Sequence, residues 1–188
     1  MALLVYNGPT AEAKEFYAPL LTLPSIMHDT THSMPYDQVN SLLNDGLGPG
    51  LRRTLKGSSF RLPLSLSQAQ SWLSDFESFF ASVPDAIGTL VLIEFMLYEK
   101  VLSVGQTDTA FANRGAYGNV TFCPGWTDAK FDDVCRDWSR DTAAKTRDIM
   151  MKYLKEGGGV DAVTRKAVGE YANHDGEFLS PLVHKPLK

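Results

Sequence analysis

Residues 89–98 read TLVLIEFMLY, a run of β-branched and aromatic residues that is the strongest strand pattern in the sequence. Residues 116–123, AYGNVTFC, form a second strand pattern, and residues 58–64, SSFRLPL, form a third. We expect the strands at 89–98 and 116–123 to lie inside a sheet, with 89–98 as its central strand. One carboxylate, Glu94, interrupts this apolar strand.

Two helical patterns accompany the strands. Ser67 and Gln70 have capping-box spacing, and they precede a series of apolar residues at helical spacing: Ala69, Trp72, Leu73, Phe76, Phe79 and Phe80. A longer helix is expected to begin at residues 127–128 and to end at the glycines of residues 157–159. Its predicted buried face consists of Phe131, Cys135, Trp138, Thr142, Thr146, Ile149 and Tyr153.

The first 50 residues give weaker signals. Residues 2–7 have the pattern of a short strand, and residues 10–21 that of a helix in which Pro19 predicts a kink. Residues 36–44 predict a short helix before a loop rich in glycine. Several connections are too short for parallel crossovers, which favours an α+β fold with a mostly antiparallel sheet and helices on one face. We expect residues 1–188 to form one domain.

Composition excludes several classes of protein. Lys and Arg total 18 against 22 Asp and Glu, and no basic run occurs, so a nucleic-acid partner is not expected. No signal peptide and no apolar stretch of membrane-spanning length is found, so a cytoplasmic protein without a membrane partner is expected. Cys123 and Cys135 lie in no metal-ligand spacing, so we expect reduced thiols and no metal site.

Strand alternation separates a core face from a polar face. Val91, Ile93, Phe95 and Leu97 share the more apolar face of the strand at 89–98, and Phe60, Leu62, Val120 and Phe122 are expected to join it. The opposite face collects Glu94 with Leu90, Leu92, Met96, Tyr98, Tyr117, Asn119, Thr121 and Cys123. Arg61 points to the same side in the strand at 58–64, where it is placed to neutralise Glu94.

Glu94 is the leading candidate for a catalytic residue. A carboxylate buried in an apolar strand has a raised pKa, which suits it to proton transfer near neutral pH. The alternative is that Glu94 lies on a solvent-exposed sheet face or forms a structural ion pair. The sequence leaves both interpretations open.

Four segments carry a resemblance to a known family: KGSSFRLP (56–63), IEFMLYEK (93–100), TAFANRGAYGNVTFCPGWTD (109–128) and EYANHDG (170–176). In order and spacing they resemble the substrate-binding half of fungal berberine-bridge-type flavin oxidases. In that family a preceding domain holds the flavin, and the substrate domain sets an antiparallel sheet over its ring. The 188 residues contain no counterpart of the flavin domain, so we expect no flavin and no other cofactor.

The resemblance, joined to the polar face, defines a candidate site. Expected catalytic residues are Glu94, Tyr98 and Tyr117, and expected substrate-binding residues are Arg61, Asn119, Thr121, Asn173 and His174. In some plant members a glutamate at the position matching Asn119 acts as a base, a role that an amide cannot fill.

We expect a cofactor-independent cyclase or isomerase of fungal secondary metabolism, including a cycloaddition, acting on a small apolar polyketide-like or alkaloid-like substrate. Two alternatives stay open: a non-catalytic subunit that completes a separate flavin domain, and a truncated fragment of a flavin oxidase. A face that once met another domain exposes apolar residues, so we also expect a homodimer formed through the open sheet face.

Overall fold

A computed structural model describes residues 2–24, 32–42, 44, 48–105, 108–109, 111 and 114–156. The chain folds as two compact units, Met1–Gly48 and Pro49–Lys188. The architecture is α+β, with small antiparallel sheets and helices packed against them, which confirms the predicted fold class.

The first unit contains helices α1 (Thr10–Phe16) and α2 (Ala18–Leu21) and a 3-10 helix at Tyr36–Ser41. The break between α1 and α2 falls at Tyr17, because Pro19 lacks the amide hydrogen that a continuous helix would need. The predicted strand at residues 2–7 is wrong. These residues pair with no strand that the structure describes, and their apolar side chains stay largely exposed.

The described residues of the second unit form five strands, arranged in two antiparallel sheets. They are β1 (Arg52–Arg53), β2 (Lys56–Arg61), β3 (Leu90–Glu94), β4 (Tyr117–Cys123) and β5 (Gly125–Trp126). The order of the larger sheet is β2-β4-β3, and β1 pairs with β5 in a two-stranded ribbon. The centre of the larger sheet is therefore β4, and the prediction that residues 89–98 form the central strand is wrong.

Within the described part of the chain, β3 is an edge strand, and it ends at Glu94, four residues earlier than predicted. β4 pairs with β3 only from Asn119 to Cys123, so the backbone after Glu94 has no ladder to join. The side chains that follow are exposed: 64% for Phe95 and 80% for Leu97. The chain then enters the short helix α4 (Glu99–Leu102).

Helix α3 (Leu66–Ser82) begins at a side-chain cap, since the Ser65 hydroxyl accepts a hydrogen bond from the Gln68 amide at 3.2 Å. The N-cap is therefore Ser65, two residues before the predicted Ser67. Ser65 and Ser67 are each followed three residues later by a glutamine, so the sequence alone does not distinguish them.

Helix α5 (Asp132–Lys155) follows a 3-10 turn at Ala129–Phe131, so the long helix begins close to the predicted residue. Its buried face agrees with the prediction except near the end. There Ile149 is 49% exposed, whereas the neighbouring Met150 is 1% exposed. No helix of the described residues has both the length and the apolar character needed to cross a membrane.

The core lies between the β2–β4 side of the larger sheet and helices α3 and α5. One cluster consists of Phe60, Trp72, Val120, Phe122 and Ala143, and a second of Phe79, Val83, Ala86, Trp126 and Cys135. The inward positions predicted for β2 and β4 are confirmed. Because burial of each large apolar side chain contributes about 1.5–3 kcal/mol, these clusters stabilise the second unit.

Candidate functional site

The register of the larger sheet brings most of the predicted site residues onto one face. Glu94 lies opposite Asn119, and Asn119 lies opposite Ser59 on the other side. Two residues further along β2, Arg61 lies opposite Tyr117. Because side chains alternate along each strand, these residues share one face, which we call the polar face.

Glu94 is solvent-exposed, at the last position of an edge strand. Of the two interpretations that the sequence leaves open, this position agrees with the solvent-exposed sheet face, because β3 has no outer neighbour among the described residues. Within the described residues Glu94 makes no ion pair with Arg61. Two strand spacings and two residue rises separate their Cα atoms by about 12 Å.

Arg61 is held by an aromatic ring instead of by a carboxylate. Its guanidinium carbon lies 4.8 Å from the centroid of the Tyr153 ring on α5. An arginine over an aromatic face is attracted by the ring's electrostatic field, and stacking restricts the orientation of the guanidinium. The predicted neutralisation of Glu94 by Arg61 is thus wrong, and Tyr153 takes the place of the acid.

Tyr117 lies opposite Arg61 and is 5% exposed. It packs with Met150 and Leu154 on α5. Burial raises the pKa of the Tyr117 phenol well above its ordinary value, because the charged form would lose its hydration. At neutral pH the phenol therefore stays protonated, which makes it a hydrogen-bond donor and not a base.

The remaining members of the polar face differ in how far solvent reaches them. Asn119 is half-buried, whereas Thr121 is 2% exposed and Ser59 is 5% exposed. Ser59 lies on the same side of β2 as Arg61, as alternation requires, but Ser59 is buried whereas Arg61 is exposed. A ligand can thus reach Arg61, Asn119 and Glu94 more easily than the other residues of this face.

Tyr98 does not belong to the polar face. It lies beyond the end of β3 and is the residue that precedes α4, where its carbonyl oxygen accepts a hydrogen bond from the Leu102 amide at 2.8 Å. Alternation fails for Tyr98 because the strand itself ends at Glu94, although the apolar pattern in the sequence continues. Asn173 and His174 lie outside the described residues.

Sequence reasoning missed two features near this face. One is the contact of Tyr153 with Arg61, although helical spacing places Tyr153 on the inner face of its helix. The other is Arg114, which is only 5% exposed and donates to the Val101 carbonyl at 3.3 Å and to the Thr109 hydroxyl. No spacing signal in the loop before β4 indicates that this arginine is buried.

The cysteines do not form part of the polar site. Cys123 and Cys135 are both buried free thiols. Burial raises the pKa of Cys135 to about 11, so its nucleophilic thiolate is scarce at neutral pH. In the part of the chain that the structure describes, no group of three His, Cys, Asp or Glu residues is arranged to hold a metal ion.

The fold and the site together define an α+β protein with a small antiparallel sheet, one face of which carries a polar row between two charged side chains. No protein-family model matches the chain, and no match was found among curated proteins or among solved structures. The resemblance to the berberine-bridge type therefore stays a prediction.

Proposed function

We propose that this protein is a cofactor-independent cyclase or isomerase that binds a small apolar polyketide-like or alkaloid-like substrate on the polar face. The observation that carries this proposal is the row of groups across the sheet. Arg61 and Tyr117 lie at one end, Asn119 lies in the middle, and Glu94 lies at the other end. Cyclisation and isomerisation need groups of these kinds, and they need no redox centre.

The first contribution to catalysis is to hold a flexible substrate in its reactive conformation, which removes an entropic barrier. Hydrogen bonds to a conjugated carbonyl then stabilise the charge that develops during bond reorganisation. We assign this role to Tyr117, whose phenol keeps its proton, and contact with a substrate then requires the covering side chains of Met150 and Leu154 to move aside. Asn119 offers an amide donor on the same face.

Proton transfer is assigned to Glu94, the one carboxylate of this row. An isomerisation that moves a double bond removes a proton from one carbon and returns it to another, so one carboxylate can perform both steps. Exposure at the end of β3 leaves Glu94 reachable by a substrate lying across Asn119.

The proposal is tested by variants in an assay that follows conversion of a conjugated substrate into an isomer. Glu94→Gln should lower turnover about 100-fold or more, the usual scale for loss of a general acid or base. Tyr117→Phe should also lower turnover without unfolding the protein. Glu77→Gln, an exposed glutamate on α3, is the matched control. Full activity in both site variants would contradict the assignment.

A second candidate function is supported by the exposed apolar segment after β3. Phe95, Met96 and Leu97 lie beside the unpaired edge of the sheet, and exposed apolar segments of this kind mark association surfaces. The candidate role is a non-catalytic subunit that completes a separately encoded flavin domain. Stable flavin binding only in the presence of such a partner would favour this role over the enzyme.

The same segment supports the proposed homodimer. Changing Phe95 and Leu97 together to serine should convert the dimer into a monomer, measured by sedimentation velocity, without loss of thermal stability. A wild-type protein that is monomeric at all concentrations would contradict self-association. The proposal includes a cytoplasmic location, which two buried unpaired thiols favour because disulfides are rare in that compartment.

A further inference from the structure

One end of the larger sheet contains two arginines, and neither has an acidic partner in the part of the chain that the structure describes. Arg61 is the last residue of β2, and Arg114 precedes β4 by three residues. Three residues of extended chain span at most about 10 Å, so the Arg114 backbone lies near that of Tyr117, the partner of Arg61. Within the described residues, no carboxylate forms an ion pair with Arg61 or Arg114.

Arg61 is oriented but not neutralised. Its guanidinium lies over the Tyr153 ring, 4.8 Å from the centroid, and its side chain is open to solvent. Apart from this ring contact, the Arg61 guanidinium has no partner among the described residues, so its N–H edge is available to an anion. That edge matches the two oxygen atoms of a carboxylate in a bidentate pair.

Arg114 adds positive charge beneath the surface. It is 5% exposed, and its Nε atom has no hydrogen-bond partner among the described residues. Its other contacts are neutral: the Val101 carbonyl, the Thr109 hydroxyl and the Phe111 ring, whose centroid lies 5.5 Å from the guanidinium carbon. A buried cation without an anion favours negative charge nearby.

The opposite end of the polar face has the opposite charge. Glu94 lies about 12 Å from Arg61 between Cα atoms, by strand geometry. A ligand with one anionic end is therefore attracted at Arg61 and repelled at Glu94. This polarity fixes which end of a substrate faces the proton-transfer group.

We propose that the substrate of this face carries a carboxylate group, which Arg61 binds as a bidentate pair while the Tyr153 ring holds the guanidinium in place. The inference rests on the proposed function, because it concerns the substrate of the same face. Arg61 binds substrate, and Tyr153 is a positioning residue that acts through Arg61. The apolar remainder of the substrate lies across Asn119 toward Glu94.

The probe is sorbate, a small conjugated carboxylate, and its neutral counterpart is sorbamide. Amide chemical shifts of the isotope-labelled full chain should move in β2 and β4 upon titration with sorbate, and sorbamide should bind at least tenfold more weakly. Arg61→Ala should weaken sorbate binding at least tenfold, and Arg61→Lys should restore part of it. Equal affinity for sorbate and sorbamide would overturn the inference.

Two further variants separate binding from positioning. Tyr153→Leu should weaken sorbate binding several-fold while leaving sorbamide binding unchanged, which a merely structural role of Tyr153 would not do. The matched control is Arg140→Ala, which removes an arginine paired with Asp137 on α5. This variant should change neither sorbate binding nor sorbamide binding. If inorganic phosphate displaced sorbate as effectively as acetate does, the inference that this face selects carboxylates would be overturned.

Failure of this inference can be distinguished from failure of the proposed function. Turnover of a neutral substrate that is unaffected by Arg61→Ala would overturn the inference and leave the cyclase or isomerase intact. Arginine-dependent sorbate binding without isomerisation of any carboxylate substrate would support the inference and contradict the proposed function.

Discussion

The two flanks of β4 differ in what covers them. On the β2 flank, α3 and α5 pack against the sheet, and Phe60 is fully buried. On the β3 flank, the Phe95 ring lies 5.7 Å from the Phe60 ring between centroids yet remains 64% exposed. Similar apolar residues thus have different roles. The β2 flank stabilises the fold, and the β3 flank is not covered by any of the described residues.

The largest expected effect comes from truncating the two phenylalanines that touch each other across this divide. Phe60→Ala should lower the free energy of unfolding by about 3–5 kcal/mol, because it leaves a cavity in the core. Phe95→Ala should cost less than about 1 kcal/mol, because most of the ring is already in water. Urea unfolding of both variants measures this difference. Equal losses would show that the two flanks are not different.

A smaller effect tests the start of α3, the helix that covers the β2 flank. Ser65→Ala removes the side chain that accepts the Gln68 amide hydrogen and should cost about 1 kcal/mol. Ser67→Ala is the matched control, and its effect should stay within about 0.5 kcal/mol, as for most surface changes. A larger loss of thermal stability for Ser67→Ala than for Ser65→Ala would show that Ser67 is the N-cap.

The smallest effect is confined to acid pH and concerns the junction of the β1–β5 ribbon with α5. Asp132 accepts hydrogen bonds from Arg52 Nε at 2.6 Å and from Trp126 Nε1 at 2.8 Å. The Arg52 hydrogen bond is the largest cause that lowers the pKa of this carboxyl from 3.8 to about 2.

Because the pKa of Asp132 is lower in the folded state, its contribution to stability is present above about pH 4 and is lost as the pH falls toward about 2. Asp132→Asn should therefore remove part of the acid dependence of the melting temperature between these values. Thermal melts at a series of pH values, with Asp141→Asn on the exposed side of α5 as the control, measure this effect. Identical pH profiles for Asp132→Asn and the wild type would contradict it.

Alternation along strands predicted the fold best where both neighbours of a strand exist. Phe60, Val120 and Phe122 occupy the core positions that alternation assigns to them. The prediction failed beyond Glu94, because an apolar sequence does not reveal where the partner strand stops pairing. On α5, Met150 is buried in place of the predicted Ile149, because Met150 packs against Tyr117. Helical spacing alone does not reveal this contact.

For the candidate site, the sequence predicted the shared face but not the environment of each group. Arg61, Tyr117, Asn119 and Glu94 do lie on one face, since that follows from alternation once the register is known. The predicted burial applies to a different member: Tyr117 is buried, and Glu94 is exposed. Burial depends on which strand is at the edge and on where α5 crosses the sheet, neither of which is a local property of the sequence.

The most direct measurement of the central claim is the mass of the product formed by flavin-free protein. The protein is incubated with a panel of conjugated polyketide-type and alkaloid-type carboxylic acids, and the products are separated by liquid chromatography and their masses determined by mass spectrometry. We predict a product that differs from its substrate in retention time but has the same mass, and that forms without added flavin. A product that has lost two hydrogen atoms and forms only with added flavin would contradict the claim and indicate an oxidase.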